Sequence, residues 1–256
     1  MSDPGVQPGA GPVQAGARLT QWQRAGNVFA APSKTFEDIK RGNCGWWLPY
    51  LIVVVCTYIL FAAITMKVGW QQVAQNNIAM SPKQAQRMDQ LNPQQRATAM
   101  KIAGTVTEIF LAASPVIILI GASLVSLLLW GTINFIFGGK SKYQEIFAAN
   151  MYAMLPRAIV PLIATIAIFA GLAPEAFNIS NMAGTNVAYF MSVQDTSKAL
   201  YALLSQIDVL NIWAAVLLSI GVAKVAGKNR GAGYLTVFGW WALWVLIRVA
   251  LGFAAG

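Results

Sequence analysis

The chain has 256 residues, 57% of them hydrophobic and 11% charged, with a mean hydropathy of +0.55. That balance exceeds what a soluble domain carries and makes a bilayer the natural solvent. Eighteen Lys and Arg against nine Asp and Glu give a net charge of +9, but the basic residues are scattered among short segments. They make no stripe or groove for nucleic acid, and contact with anionic lipid headgroups is the simpler consequence.

Met1 to Gly16 is rich in Gly, Pro and Gln, and residues 1–24 read as a disordered cytoplasmic tail ahead of a membrane domain over residues 25–256. The segment "PSKTFEDIK" predicts a short helix. Pro32 suits a first helical turn and Thr35 with Asp38 has capping-box spacing, which would lay the helix on the cytoplasmic face with Phe36 and Ile39 toward the membrane. From Trp47 to Met66 no residue is charged, a length that crosses a hydrocarbon core of roughly 30 Å, and Trp46, Trp47 and Tyr50 form an interfacial aromatic belt. The preceding polar stretch is too long for the n-region of a secretory signal, so this first span stays as an anchor.

Ser81-Pro82 and Asn92-Pro93 are two cap-plus-proline starts, predicting a helical hairpin in the first external loop whose second arm runs from Pro93 into the next span. That span is Leu111 to Trp130, kinked at Ser114-Pro115. "KYQEIFAANMYAMLP" places Tyr143, Ile146, Phe147, Met151 and Met154 at helical spacing and predicts an interfacial helix before a third span, Ala158 to Pro174. "TSKALYALLSQI" reads the same way before a fourth, Val209 to Gly227, and Tyr234 to Ala255 is the fifth. The fold class is therefore all-α: an integral multi-pass membrane protein with five transmembrane helices and short interfacial amphipathic helices.

Eleven basic residues fall on the side of the N-terminus: Arg18, Arg24, Lys34, Lys40 and Arg41, then Lys140, Lys142 and Arg157, then Lys224, Lys228 and Arg230. Six fall opposite: Lys67, Lys83, Arg87, Arg96, Lys101 and Lys198. The positive-inside rule then puts the N-terminus in the cytoplasm and the C-terminus outside.

The chain has no histidine, which removes an imidazole base, a His metal ligand and a Ser-His-Asp triad. Cys44 and Cys56 stand about 18 Å apart along a helix, too far for a disulfide or a shared metal. Cys44 beside a membrane boundary is either a palmitoylation site or a spectator thiol. No phosphate-binding loop, nucleophile elbow or dinucleotide fingerprint occurs, so no catalytic, cofactor-binding or metal residue is assigned. Asn178-Ile179-Ser180 matches a glycosylation sequon, relevant only in a eukaryotic secretory host.

Two sets of intramembrane residues stand out. Glu108, Asp208 and Arg248 are ionisable groups within or beside apolar runs, all toward the outer leaflet. Either they form a charge cluster, or the acids stabilise helix N-termini while Arg248 snorkels outward. Ala215, Ser219, Ala223 and Gly227 recur every fourth residue, a small-residue stripe for close helix packing within the chain or between copies.

Taken in order, "VFAAPSKTFEDIKRGNCGWWLP", "SPVIILI", "FGGKSKYQEIFAANMYAMLP" and "QIDVLNIWAAVLLSIGVAKVAGKNRGAG" resemble the Yip1-domain family of multi-pass membrane proteins over about residues 25 to 250. The "MSPKQAQRMDQLNPQQ" hairpin is closest to bacterial members, which implies the bacterial cytoplasmic (inner) membrane. The Asp-Leu-Tyr-Gly-Pro element of the eukaryotic branch is absent. The resemblance implies a non-enzymatic membrane organiser or scaffold with no cofactor, whose partners are membrane lipids and another membrane protein or a second copy. A small channel, transporter or lipid-moving protein using the kinked spans is the alternative.

Overall fold

The computed structural model describes residues 18–193 and 195–255, which form an all-α membrane protein. Among the described residues the α-helices are α1 (Gln21–Ala30), α2 (Pro32–Lys40), α3 (Trp47–Ala63), α4 (Trp70–Ala79), α5 (Pro82–Asp89), α6 (Pro93–Ala112), α7 (Ser114–Gly131), α8 (Tyr143–Ala153), α9 (Ile159–Phe169), α10 (Lys198–Gln206), α11 (Val209–Val225) and α12 (Arg230–Ala255). Four rods are long and apolar enough to cross a membrane. They are Trp47–Val68 (α3 and a π-helical turn), Ser114–Ile136 (α7 and a second such turn), Tyr143–Phe169 (α8 and α9) and Arg230–Phe253 in α12. The fifth apolar helix is α11, whose 17 residues cover about 25 Å. It is the interior helix: from Ala214 to Val225 most of its residues are buried, as expected of a helix apolar on every side.

The folded body begins earlier than residue 25, because α1 starts at Gln21 and Arg24 is buried. Of the tail expected over residues 1–24, residues 1–17 lie outside the described residues. Thr20 caps α1 by accepting from Gln23 N, while the Gln23 side chain accepts from Thr20 N. Pro32 opens α2, where its missing N–H would have had no partner in any case. The orientation expected for α2 is corrected. Phe36 and Ile39 are fully buried against the protein, with Gly221 of α11 admitting the Phe36 ring so closely that a methyl there would sit 2.8 Å from it.

Two span boundaries also differ from the sequence reading. α6 and α7 are separate helices that break at Ala113, since Pro115 cannot donate to the preceding turn. α6 is capped by Asn92 in a full capping box with Gln95, and it packs against α4 as the outer arm of a hairpin. The third span is longer than expected, because "YQEIFAANMYA" is not an interfacial helix. Its residues from Glu145 to Ala153 are all buried, and a 3₁₀ turn at Leu155–Ala158, opened by Pro156, joins it to α9. Small residues such as Ala148, Ala149 and Ala153 let α8 sit between α7 and α11.

Candidate functional site

The N-terminal hairpin is fastened to the bundle by a polar knot. Arg24 is 1% exposed, and its guanidinium donates to the carbonyl of Asn43, lies 3.7 Å from the Asp38 carboxylate and stacks 5.0 Å over the Tyr152 ring of α8. Asp38 also accepts from Leu19 N at 3.2 Å and from the Asn43 amide at 2.8 Å. Thr35 donates to the carbonyl of Arg24, and Tyr152 to that of Gly45. Thr35 and Asp38 therefore join α2 to α1 and to the chain before α3, instead of capping α2. A buried ion pair holds only when its remaining hydrogen-bonding capacity is met nearby; both Asp38 oxygens accept hydrogen bonds here, while Arg24 Nε is buried without one.

Closer to solvent, Lys224 of α11 pairs with Glu37 at 2.6 Å. That hydrogen bond, helped by the charges of Lys224 and Arg41, holds the Glu37 carboxyl below its usual range. Cys44 is half-buried, and burial pushes its thiol up, away from the reactive thiolate. No cluster of three or more potential metal-ligating side chains occurs among the described residues.

The small-residue stripe has a counterpart on α12. Ala215, Ser219 and Ala223 are buried, and Gly233 lies over the last two: a methyl there would overlap the Ser219 carbonyl and sit 2.8 Å from the Ala223 side chain. Gly227 falls past the helix end, exposed, with φ of +67°.

Glu108, Asp208 and Arg248 are not joined by any salt bridge among the described residues. Glu108 sits near the C-terminus of α6, half-buried, because the helix break falls after it. Asp208 is buried as the N-cap of α11, accepting from Asn211 N at 2.8 Å and from the Thr185 hydroxyl. Arg248 is exposed on α12.

A cavity of ≈ 530 Å³ opens between α7, α8 with its 3₁₀ turn, α11 and α12. α7 packs mainly on α8, and α12 on α10 and α11, rather than on each other, and Trp240 Nε1 closes one end of the gap by donating to Thr132 Oγ1 at 2.9 Å. Val125, Leu218, Trp240 and Trp244 represent the apolar lining, and Asn150 and Arg157 are its polar members. Asn150 is engaged, donating to Ala122 O and Ser126 Oγ on α7. The Arg157 side chain is exposed and makes no hydrogen bond or salt bridge among the described residues; the charge acting on it at longer range is Asp208. It sits fourteen residues after Tyr143 and twelve before Phe169, near the middle of a membrane-crossing rod. An arginine at the centre of a span costs about 2.5–3.5 kcal/mol on insertion scales and is normally functional.

The family model for the Yip1 domain matches residues 26–252. The chain belongs to the Yip1 domain family. It is similar to "Membrane protein YknW" of Bacillus subtilis (strain 168), with 23% identity over 209 residues that cover 82% of this chain and 81% of the relative. No solved structure matches it. In this Yip1-domain protein, the matched stretch takes in the cavity and all of the knot except Arg24 and Leu19. Sequence reasoning missed Arg157 as a site residue by assigning it to a loop. The apolar runs on both sides of "LPRA" were the available signal, since they join into one rod once Pro156 is accepted inside a helix.

Proposed function

We propose that this Yip1-domain membrane protein is a non-enzymatic organiser or scaffold that binds lipids or other membrane proteins. The observation that carries this reading is the knot: a buried charged network fastens α1 and α2 to α8 while leaving Trp22 (69% exposed) and Phe29 on the outside. A fixed, tryptophan-bearing hairpin beside the spans is suited to present one surface to a neighbouring membrane protein or to the lipid interface. The bacterial inner membrane, with the N-terminus cytoplasmic and the C-terminus outside, fits the charge distribution. With Arg157 counted inside a span instead of a loop, the eleven basic residues on the N-terminal side become ten, still against six.

The test is reconstitution with site-directed crosslinking. Purified protein in liposomes should give no ion flux or lipid scrambling above protein-free vesicles, and a photocrosslinker at Trp22 in cells should trap one membrane protein or a second copy reproducibly. Flux by the purified protein alone would favour the channel or transporter reading. For orientation, a reporter active only in the cytoplasm should work when fused after Arg230 and fail after Gly256.

A further inference from the structure

We infer that the cavity between α7, α8, α11 and α12 is a binding site for an anionic lipid, with Arg157 holding its headgroup and the tryptophans of α12 lining its acyl chain. The inference rests on the lipid-binding part of the function proposed above and names the lipid class. Three observations converge on it. The cavity is on the scale of one acyl chain: ≈ 530 Å³ gives room for roughly 18 water-sized groups at about 30 Å³ each. Its walls are apolar apart from Asn150, whose amide nitrogen is already spent on α7, and Arg157, whose guanidinium has no hydrogen-bonding partner among the described residues. No acidic side chain lines it among the described residues, and Asp208, the carboxylate that acts on Arg157 at longer range, already accepts from Asn211 N and Thr185.

The way in is lateral. The Trp240–Thr132 hydrogen bond ties α12 to the turn after α7 at one end, and away from it α7 rests mainly on α8 and α12 on α10 and α11, so the gap between them faces the bilayer. Leu124 and Leu128 of α7 and Leu243 and Ile247 of α12 expose apolar surface beside it. A ligand reaching Arg157 by that route has to be an amphiphile. Guanidinium presents a planar fork of donors that matches phosphate or carboxylate oxygens, and in an apolar cavity such a charge-assisted contact is strong. A zwitterionic headgroup brings its own cation beside its phosphate and leaves the net charge of the site unmatched, and a soluble anion has no chain to fill the walls.

The full-length protein in phosphatidylcholine nanodiscs, carrying a trace of phosphatidylglycerol with a photoactivatable diazirine in its acyl chain, tests this directly. Label should appear in peptides of α7 and α12 that line the cavity, and excess unlabelled phosphatidylglycerol should compete it away while extra phosphatidylcholine and inorganic phosphate should not. Arg157→Gln should reduce that competable label by about tenfold or more, the scale of one lost charge-assisted pair, and Arg157→Lys should retain part of it. Should the Gln variant fail to fold, the competition pattern of the unaltered protein decides alone. Label spread evenly over exposed apolar faces, equal competition by phosphatidylcholine, or competition by inorganic phosphate would each overturn the inference. So would a cavity closed to label in a preparation that is dimeric by native mass spectrometry, since a second copy would then be the occupant. These measurements use the purified protein alone, so their failure leaves the crosslinking test of the scaffold reading untouched, and the reverse also holds.

Discussion

Arg24 and Arg157 both lie among apolar helices, yet one is held from three sides and the other by nothing closer than a long-range charge. Around Arg24 the chain supplies a carboxylate, a carbonyl and an aromatic face, each from a different segment, and the result is the fastening of α1 and α2 to the bundle. Around Arg157 it supplies an apolar cavity. The difference separates a cation whose work is finished on folding from one whose partner comes from outside the chain.

The contrast breaks first if Arg24 can be removed cheaply. Arg24→Ala leaves Asp38 buried without its counter-charge and should destabilise the protein by about 3–5 kcal/mol, read as a lower thermal unfolding temperature in detergent. Adding Asp38→Asn should recover part of the loss, because the stranded charge is then gone. A loss within about 0.5 kcal/mol, the range of an ordinary surface change, would mean that the knot does not fasten the hairpin.

Shape sharpens the same distinction between occupied and open surroundings. Gly233 faces the backbone of Ser219, which cannot move aside, so Gly233→Leu should cost about 1–3 kcal/mol or more. Gly239, on the same helix with nothing within 4 Å, should accept Leu within about 0.5 kcal/mol. Comparable losses at both positions would mean that the helix, not the contact with α11, resents the substitution.

The smallest effect belongs to the exposed pair. Glu37 and Lys224 keep 33% and 43% of their side-chain surface, so Glu37→Gln should cost no more than about 1 kcal/mol. Because the folded protein holds the Glu37 carboxyl below its ordinary value of 4.5, the pair stabilises fully above that value and loses its contribution as pH falls through the lowered one. The stability gap between parent and Glu37→Gln should therefore be constant near neutrality and close in acid. A gap that widened in acid would contradict the sign.

Much of the architecture is legible in the sequence because bilayer physics is local: uncharged runs near twenty residues long, proline starts and aromatic belts mark every span but the third within a few positions. The capping box at Asn92 and Gln95 is readable for the same reason. The knot is not, since Arg24 and Asp38 are fourteen residues apart and Tyr152 lies far along the chain, with no spacing rule linking them. The α11 stripe is visible as a period of four, but the glycine facing it, Gly233, belongs to a choice of neighbour that only packing makes. Arg157 was hidden by Pro156. A proline beside an arginine reads as a boundary, whereas here a 3₁₀ turn carries the helix through it.

The most direct test of the distinction is to unfold the parent, Arg24→Ala and Arg157→Gln side by side in nanodiscs of phosphatidylcholine with and without phosphatidylglycerol. A lipid bound only by the folded state raises stability with its concentration. The account predicts that phosphatidylglycerol raises the unfolding temperature of the parent and of Arg24→Ala alike, with Arg24→Ala low in both lipids. Arg157→Gln should match the parent in pure phosphatidylcholine and gain nothing from the anionic lipid. An Arg157→Gln protein that is as unstable as Arg24→Ala in phosphatidylcholine, or that responds to phosphatidylglycerol as the parent does, would contradict it.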